Sequence, residues 1–472
     1  MAERRILMTV EQLCDAVSGN SLCDYSATHG FTEVVTDSRA VRPGSLFVPL
    51  IGVSQDGHSY IPGALEAGAS VVFVDKAHGD GSGKLLCELA KTHRAAIIVV
   101  ENTLRALQDA ARRYLSFFPQ LLRIGITGSS GKSTTKEIAA AVFAQGFKVI
   151  VNEGNLNSET GLPLSVFRID SSHEVGIFEM GMNRRGEIAE LARVLNPQLA
   201  VITNIGTAHI GILGSKRAIA EEKKSIFSQF SSACTGFIPE DPEWNHFLAK
   251  DLNGRIITYG ERSTGGCEYI EDLGIRGSML KIDDLNVHFP LPGKHNYSNV
   301  LAVTVLARAA GLTSRQIRDG LESVKPLFGR VQVLEGEVTV LADCYNANPE
   351  SMSSALDLCT SLEWKGQKLF VLASMLELGD ASEAAHRAIV QKIADLGSVS
   401  VFLFGKEMVE AYRASGLISS HIRSFSDFDM LKEAVEEAAC RGDFVLLKGS
   451  RSMALERLLP VLLPDNGGGV HD

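Results

Sequence analysis

The chain has 472 residues, 45% hydrophobic and 22% charged, a globular composition that excludes fibrous and disordered classes. A net charge of −10 argues against a nucleic-acid-coating surface, and eight cysteines without a C-x-x-C pair indicate neither a disulfide framework nor a zinc site. No window reaches the roughly 18 apolar residues of a membrane span, so a cytoplasmic protein is expected, neither exported nor embedded, and at roughly 150 residues per domain it should have about three domains.

In the first section, 1–101, the runs "SLFVPLIG", "ASVVFVDK" and "AAIIVVEN" alternate with glycine and polar turns, which predicts a small α/β domain. Within it "HGDGSGK", 78–84, reads as a surface loop. The helical pattern "TLRALQDAARRYLSFF" from Thr103 leads into the strand-like "LLRIGIT". Further strands at "EVGIFEM" and "LAVITNI" alternate with helical segments such as "RGEIAELARVL". That rhythm predicts, over 102–325, a parallel sheet with helices on both faces. After "SVKPLFGR", where Pro326 and Gly329 suit a hinge, the strands "EVTVLADC", "KLFVLAS", "VSVFLFG" and "FVLLKGS" predict a Rossmann-like α/β domain over 326–472. The tail "PDNGGGVHD" is expected to be loose.

The stretch "RIGITGSSGKSTTKEIAAAV", 123–142, carries the chemistry of the central section. A strand stopping at Thr127, a turn of Gly128, Ser129, Ser130 and Gly131, and a helix from Lys132 would aim backbone N–H groups and a helix dipole at one anion. Lys132 would reach terminal phosphate oxygens of ATP, with Ser133 ligating Mg²⁺ and Thr134 beside it. The strict G-x-x-x-x-G-K-[ST] pattern is missed by one position, because Ile126 stands where the first glycine belongs. A tight glycine turn in a Rossmann-like unit is the plainer alternative. Glu179 ends a strand at the carboxyl edge of the sheet, where open α/β sheets place ligands, and could hold Mg²⁺; a solvated charge is the alternative.

The spelling T-G-S-S-G-K-S resembles the Mur ligases and their relatives the folylpolyglutamate synthetases. Further segments follow in order: "GNLNSETGLP", "FEMGMNRRGEI", "TNIGTAHIGILGS", "PGKHNYSN", "GR", "DCYNANPESM", "LELGDASEAAH" and "KGSRSMALE". Together they look like the set of the family group that adds D-alanyl-D-alanine. The resemblance implies ATP and Mg²⁺, with His209 near a second metal. It also implies that Lys223, four residues before Phe227, carries a carbamate (N6-carboxylysine), although "EEKK" would otherwise be an exposed charge run. His295, Asn296 and Asn299 resemble the family's adenine-binding helix, and Arg330 and Asp343 the groups that reach phosphates and ribose on domain closure. Asn155 and Asn157, with Tyr345, Asn346 and Asn348 in "YNANP", would contact substrate. Lys448 and Arg451 would offer cations to a carboxylate or phosphate; surface charge at a strand end is the alternative.

In the first section "TDSRAVRPGSLFVPLIG" and "DGHSYIPGALEAGA" resemble the family's uridine-diphosphate-binding domain, which implies contacts from Ser38, Arg39, Asp56, Gly57 and His58. The implied partners are UDP-N-acetylmuramoyl-tripeptide and D-alanyl-D-alanine, joined by a monomer through an acyl phosphate. A diamino-acid-adding relative, a folylpolyglutamate synthetase and a regulatory ATPase are the rivals. The chain departs from the family pattern at Ser374, where an acid is expected, and at Ser158 and Cys344.

Overall fold

The computed structural model describes residues 5–22, 29–52, 54–397 and 399–464, so most of the glycine-rich tail lies outside the described residues. The first section forms a five-stranded sheet in the order Asn20–Ser21, Ala96–Val100, Val71–Asp75, Ser45–Phe47, Glu33–Val35, parallel except at Asn20–Ser21. Its inner strands are apolar on both faces, as a sheet covered on both sides requires.

One expectation fails here. The segment "HGDGSGK" lies inside the helix Lys76–His93. Three glycines each cost a helix about 1 kcal/mol relative to alanine, but Leu86 and Ala90 are buried. Gly79 lies so close to the sheet that a Cβ would sit 3.2 Å from Val99 Cγ2. Tertiary burial overrides local propensity.

The central sheet has six parallel strands in the order Arg255–Tyr259, Thr235–Pro239, Leu199–Ile202, Leu122–Thr127, Val175–Glu179, Val149–Val151. Chain order reverses about Leu122–Thr127, which has Val175–Glu179 on one side and Leu199–Ile202 on the other. Loops leaving the carboxyl ends of these strands diverge there and open a crevice. An antiparallel meander, Cys267–Asp272, Ser278–Ile282, Leu285–Phe289, was not anticipated. Its inward Leu280, Ile282, Val287 and Phe289 pack in the core under the helix His295–Ala309.

The helix Thr103–Leu115 is a seam between sections. Its Leu107, Ala111 and Tyr114 share one core cluster with Leu13 of the first section and Leu191 of the central one, and Arg193 bridges back to Asp109.

The third section orders its strands Gln332–Leu334, Thr339–Asp343, Phe444–Lys448, Lys368–Ala373, Ser400–Phe404, Ile422–Phe425, all parallel but the first. The connection into it turns at Gly329 (φ +65°) and at Val331, whose φ of +51° is strained for a β-branched residue. Ser374, standing where an acid was expected, is fully buried, and its Oγ accepts the Met408 N–H in the first turn of the helix Lys406–Ser415. Cys344 sits in an apolar cluster, where burial pushes its thiol up to about 12. Ser158 accepts the Gly161 N–H at the start of the helix Gly161–Val166. The seven cysteines among the described residues are all free.

Candidate functional site

The strand Leu122–Thr127 ends at a turn whose glycines are dictated by space. A Cβ on Gly128 would fall 1.8 Å from Thr203 Oγ1, and Gly131, at φ +76°, would bring one to 2.7 Å from Asn299 Oδ1. The helix Lys132–Phe143 begins directly after, so the first-turn N–H groups of Lys132, Ser133 and Thr134 have no carbonyl one turn back to donate to. Asn204 braces the turn from beside it: its Oδ1 accepts the N–H groups of Ser129 (3.1 Å) and Ser130 (2.9 Å). Thr127 Oγ1 donates to Met180 O at 2.9 Å, tying the turn to the next strand.

Below the turn lies a compact group of ionisable side chains. Ser133 Oγ donates to Glu179 Oε2, while Glu179 Oε1 accepts from Asn157 Nδ2 at 2.8 Å. The Glu179 backbone is fixed by Asn152, whose Oδ1 accepts its N–H. Lys132 Nζ and Lys223 Nζ both donate to Gly128 O, each at 2.9 Å. Lys223 is only 1% exposed. Burial, and after it the Lys132 ammonium, push its amine well below the ordinary lysine range.

The "EEKK" run is therefore not a solvated face. Glu222 is buried, and its two oxygens accept the N–H groups of Gly186 (2.7 Å) and Ile188 (2.9 Å) at the head of the helix Glu187–Leu195. Lys224 donates to Phe247 O and Lys250 O. Only Glu221 is exposed, paired with Arg217.

His209 stands in the left-handed region at φ +64°. Its Nδ1 lies 2.9 Å from Glu377 Oε2 of the third section, and this pairing holds the Glu377 carboxyl below the ordinary range. His209 and Glu179 line the same cavity of about 770 Å³, between the central and third sections.

Lys132, Asn155, Asn157, His295, Asn296 and Asn299 line that cavity from the central side, and Arg330, Asp343, Tyr345, Asn346, Asn348, Lys448 and Arg451 from the third. Their freedom differs. Asn296 Nδ2 donates to Pro292 O and its Oδ1 accepts from Asn299 Nδ2, so the amide has one N–H left to offer. Asn299 Oδ1 accepts from Thr135 Oγ1, making Asn299 a wedge behind Gly131. Lys448 is neither free nor at the surface: it is buried and bonded to Asp343 Oδ2 (2.7 Å) and Asn346 O (2.9 Å). Arg330 stacks 4.0 Å over the Tyr345 ring, with Arg451 at 5.8 Å from the same ring. Asn348 reaches across the cleft to donate to Ser130 Oγ at 2.9 Å.

The first-section residues Ser38, Arg39, Asp56, Gly57 and His58 are absent from the lining of this cavity. Arg39 is exposed and paired with Asp37 at 2.7 Å. Asp56, His58 and His78 bring a carboxylate and two imidazoles within 4.8 Å of one another, a spacing that could suit a metal. However, His58 Nε2 accepts the Asp75 N–H at 3.0 Å, which places its proton on Nδ1, 2.7 Å from Asp56 Oδ1. A protonated nitrogen is no ligand. The trio is a hydrogen-bonded brace, with the His78 ring stacked on His58 at 3.9 Å.

Sequence reasoning missed Asn204, Glu350 and Glu377. Glu350 accepts from the Thr207 N–H and Oγ1, both at 2.9 Å. All three stand within motifs quoted for other residues, and only long-range pairing marks them.

Three family models match the chain in order: "Mur ligase family, catalytic domain" over 31–115, "Mur ligase middle domain" over 126–307, and "Mur ligase, glutamate ligase domain" over 329–451. A relative from Treponema pallidum (strain Nichols), named UDP-N-acetylmuramoyl-tripeptide--D-alanyl-D-alanine ligase, is 45% identical over 97% of this chain and 99% of its own. A crystal structure of MurF from Acinetobacter baumannii superposes with a TM-score of 0.85 at 25% identity, over 97% of this chain and 99% of that one. MurF ligase from Thermotoga maritima in complex with ADP gives 0.78 at 27% identity, over 91% and 96%.

Proposed function

This chain belongs to the Mur ligase family, and from that premise we propose that it joins D-alanyl-D-alanine to UDP-N-acetylmuramoyl-tripeptide with ATP, releasing ADP and phosphate, in peptidoglycan precursor synthesis. The observation that carries the reading is the convergence in one cleft of the phosphate turn, the Ser133–Glu179 oxygen pair and a third-section surface bearing Arg330, Tyr345 and Arg451.

The chemistry follows from the inertness of a carboxylate, which repels nucleophiles and has no leaving group. Lys132 and the first-turn N–H groups hold the terminal phosphates of ATP. A carboxylate oxygen of the tripeptide attacks the γ-phosphorus; that O–P bond forms as the bond to ADP breaks. The dipeptide amine then adds to the carbonyl carbon of the acyl phosphate, loses a proton, and expels phosphate to leave the amide. Closure of the third section keeps water from the acyl phosphate.

Mg²⁺ fits the donors present: Ser133 and Glu179 are hard oxygen ligands, and His209, paired with Glu377, lines the same cavity. When bound, Mg²⁺ neutralises charge on the transferring phosphoryl group. Lys223 fits the carbamate role because its buried amine favours the neutral form that adds CO₂. The resulting anion replaces like-charge repulsion with attraction to Lys132. The uridine diphosphate is assigned to Ser38, Arg39, Asp56, Gly57 and His58, and adenine to the remaining Asn296 N–H.

The test is product mass. With Mg-ATP and UDP-muramoyl tripeptide, pentapeptide should form only when D-alanyl-D-alanine is supplied. Equal turnover of a dipeptide precursor with a free diamino acid, or ATP hydrolysis that consumes no amine, would overturn the proposal.

A further inference from the structure

The loop 204–209, after the strand Leu199–Ile202, is held from two sides. On the central side Asn204 braces Ser129 and Ser130 of the phosphate turn, and the Gly206 N–H donates to Ser129 Oγ at 2.8 Å. From the third section comes Glu350, in the first turn of the helix Pro349–Ser361. Its two carboxylate oxygens divide between the Thr207 N–H and Oγ1, each at 2.9 Å. The approach is close: a Cβ on Gly206 would lie 3.2 Å from the Glu350 carboxyl carbon. Two residues further on, His209 meets Glu377 of the third section.

We propose that Glu350 is a positioning residue that carries docking of the third section into the geometry of the phosphate turn by gripping Thr207. A carboxylate satisfied by an N–H and an O–H, rather than by a cation, loses both bonds once the sections separate beyond hydrogen-bond reach, whereas an ion pair would persist over several ångströms. Loop 204–209 is also short and bonded to Ser129 and Ser130, so a displacement at Thr207 reaches the turn that leads directly into the first-turn N–H groups of Lys132, Ser133 and Thr134. Closure and phosphate positioning thereby become one event. This rests on the reading of the cleft as a ligase site, but the contact itself can be measured without turnover.

The experiment compares the full chain with Glu350→Ala, Glu350→Gln, Thr207→Val and the Glu350→Ala/Thr207→Val pair. Ligand-free hydrogen exchange in a peptide covering 203–213 should speed about tenfold in Glu350→Ala, while the strand at 122–127 stays protected. The kcat for ligation should fall about tenfold with the tripeptide KM within about twofold, and Glu350→Gln, which keeps an acceptor, should recover most of it. The double variant should be no slower than the worse single variant. Unchanged exchange at 203–213, or losses that multiply in the pair, would overturn the proposal. A wild-type chain that forms no amide would instead remove the ligase reading and leave the exchange comparison to decide the grip.

Discussion

Replacing Lys223 by methionine keeps an unbranched buried stem of nearly the same length, with a thioether sulfur in place of Cδ, and removes the amine, so it tests what that nitrogen does. Burial and the Lys132 ammonium push the Lys223 amine well below the ordinary lysine range, so where it is not carboxylated it donates to Gly128 O as a neutral amine. Methionine then gives up one ordinary hydrogen bond, worth about 0.5–1.5 kcal/mol. The melting temperature should stay within a few degrees. Ligation should not survive. A carbamate at Lys223 places an anion where the amine stood, and losing a preorganised charge of that kind lowers kcat by about a hundredfold or more. Lys223→Ala leaves room for a small anion, and its activity should return in part when acetate is added. The assay is the rate of pentapeptide formation by mass, with and without acetate, beside thermal unfolding of both variants and intact mass of the wild type. Full activity of unsupplemented Lys223→Met would refute the carbamate and return Lys223 to a structural role.

Glu222→Ala should lower stability by about 2 kcal/mol or more, read as a denaturant midpoint, because a buried N–H (Ile188) and a half-buried one (Gly186) at a helix start lose a charged acceptor. Lys224→Ala, which gives up its bonds to Phe247 O and Lys250 O, should lose about 1 kcal/mol in the same titration and keep its ligation rate. Gly131→Ala forces an L side chain to φ +76° against Asn299, and should raise the KM for ATP about tenfold or more, measured under saturating tripeptide. In the native protein at pH 8, iodoacetamide should label the exposed Cys440 and leave Cys344, whose thiol burial holds at about 12, unmodified; peptide mapping of labelled Cys344 would contradict that.

Much of the fold was legible because strands buried on both faces write themselves as apolar runs. Val71–Asp75, Val175–Glu179 and Phe444–Lys448 could each be read this way. The turn before Lys132 was legible because its geometry is local: a glycine turn, a lysine and a hydroxyl occupy consecutive positions, and the helix begins directly after them. Where burial competes with propensity, sequence misled. The glycines of 78–84 read as a loop, yet they lie in a helix whose Leu86 and Ala90 are buried, and that helix sets His78 on His58.

Family resemblance pointed to Lys223, but local composition argued for a solvated run, and only packing shows Glu222 and Lys223 facing different buried partners. The third-section charges show the same limit. Lys448 looked free until the strand pairing of Asp343 with Lys448 joined the two. The sequence by itself determined the three α/β sections and the glycine turn with its lysine, because these depend on neighbours along the chain. Tertiary structure alone decided which charges are spent and which remain for a substrate. Glu350 reaches Thr207 across 143 positions and Asn348 reaches Ser130 across 218, and whether a polar group is satisfied depends on what the fold sets opposite it, at separations no local pattern encodes.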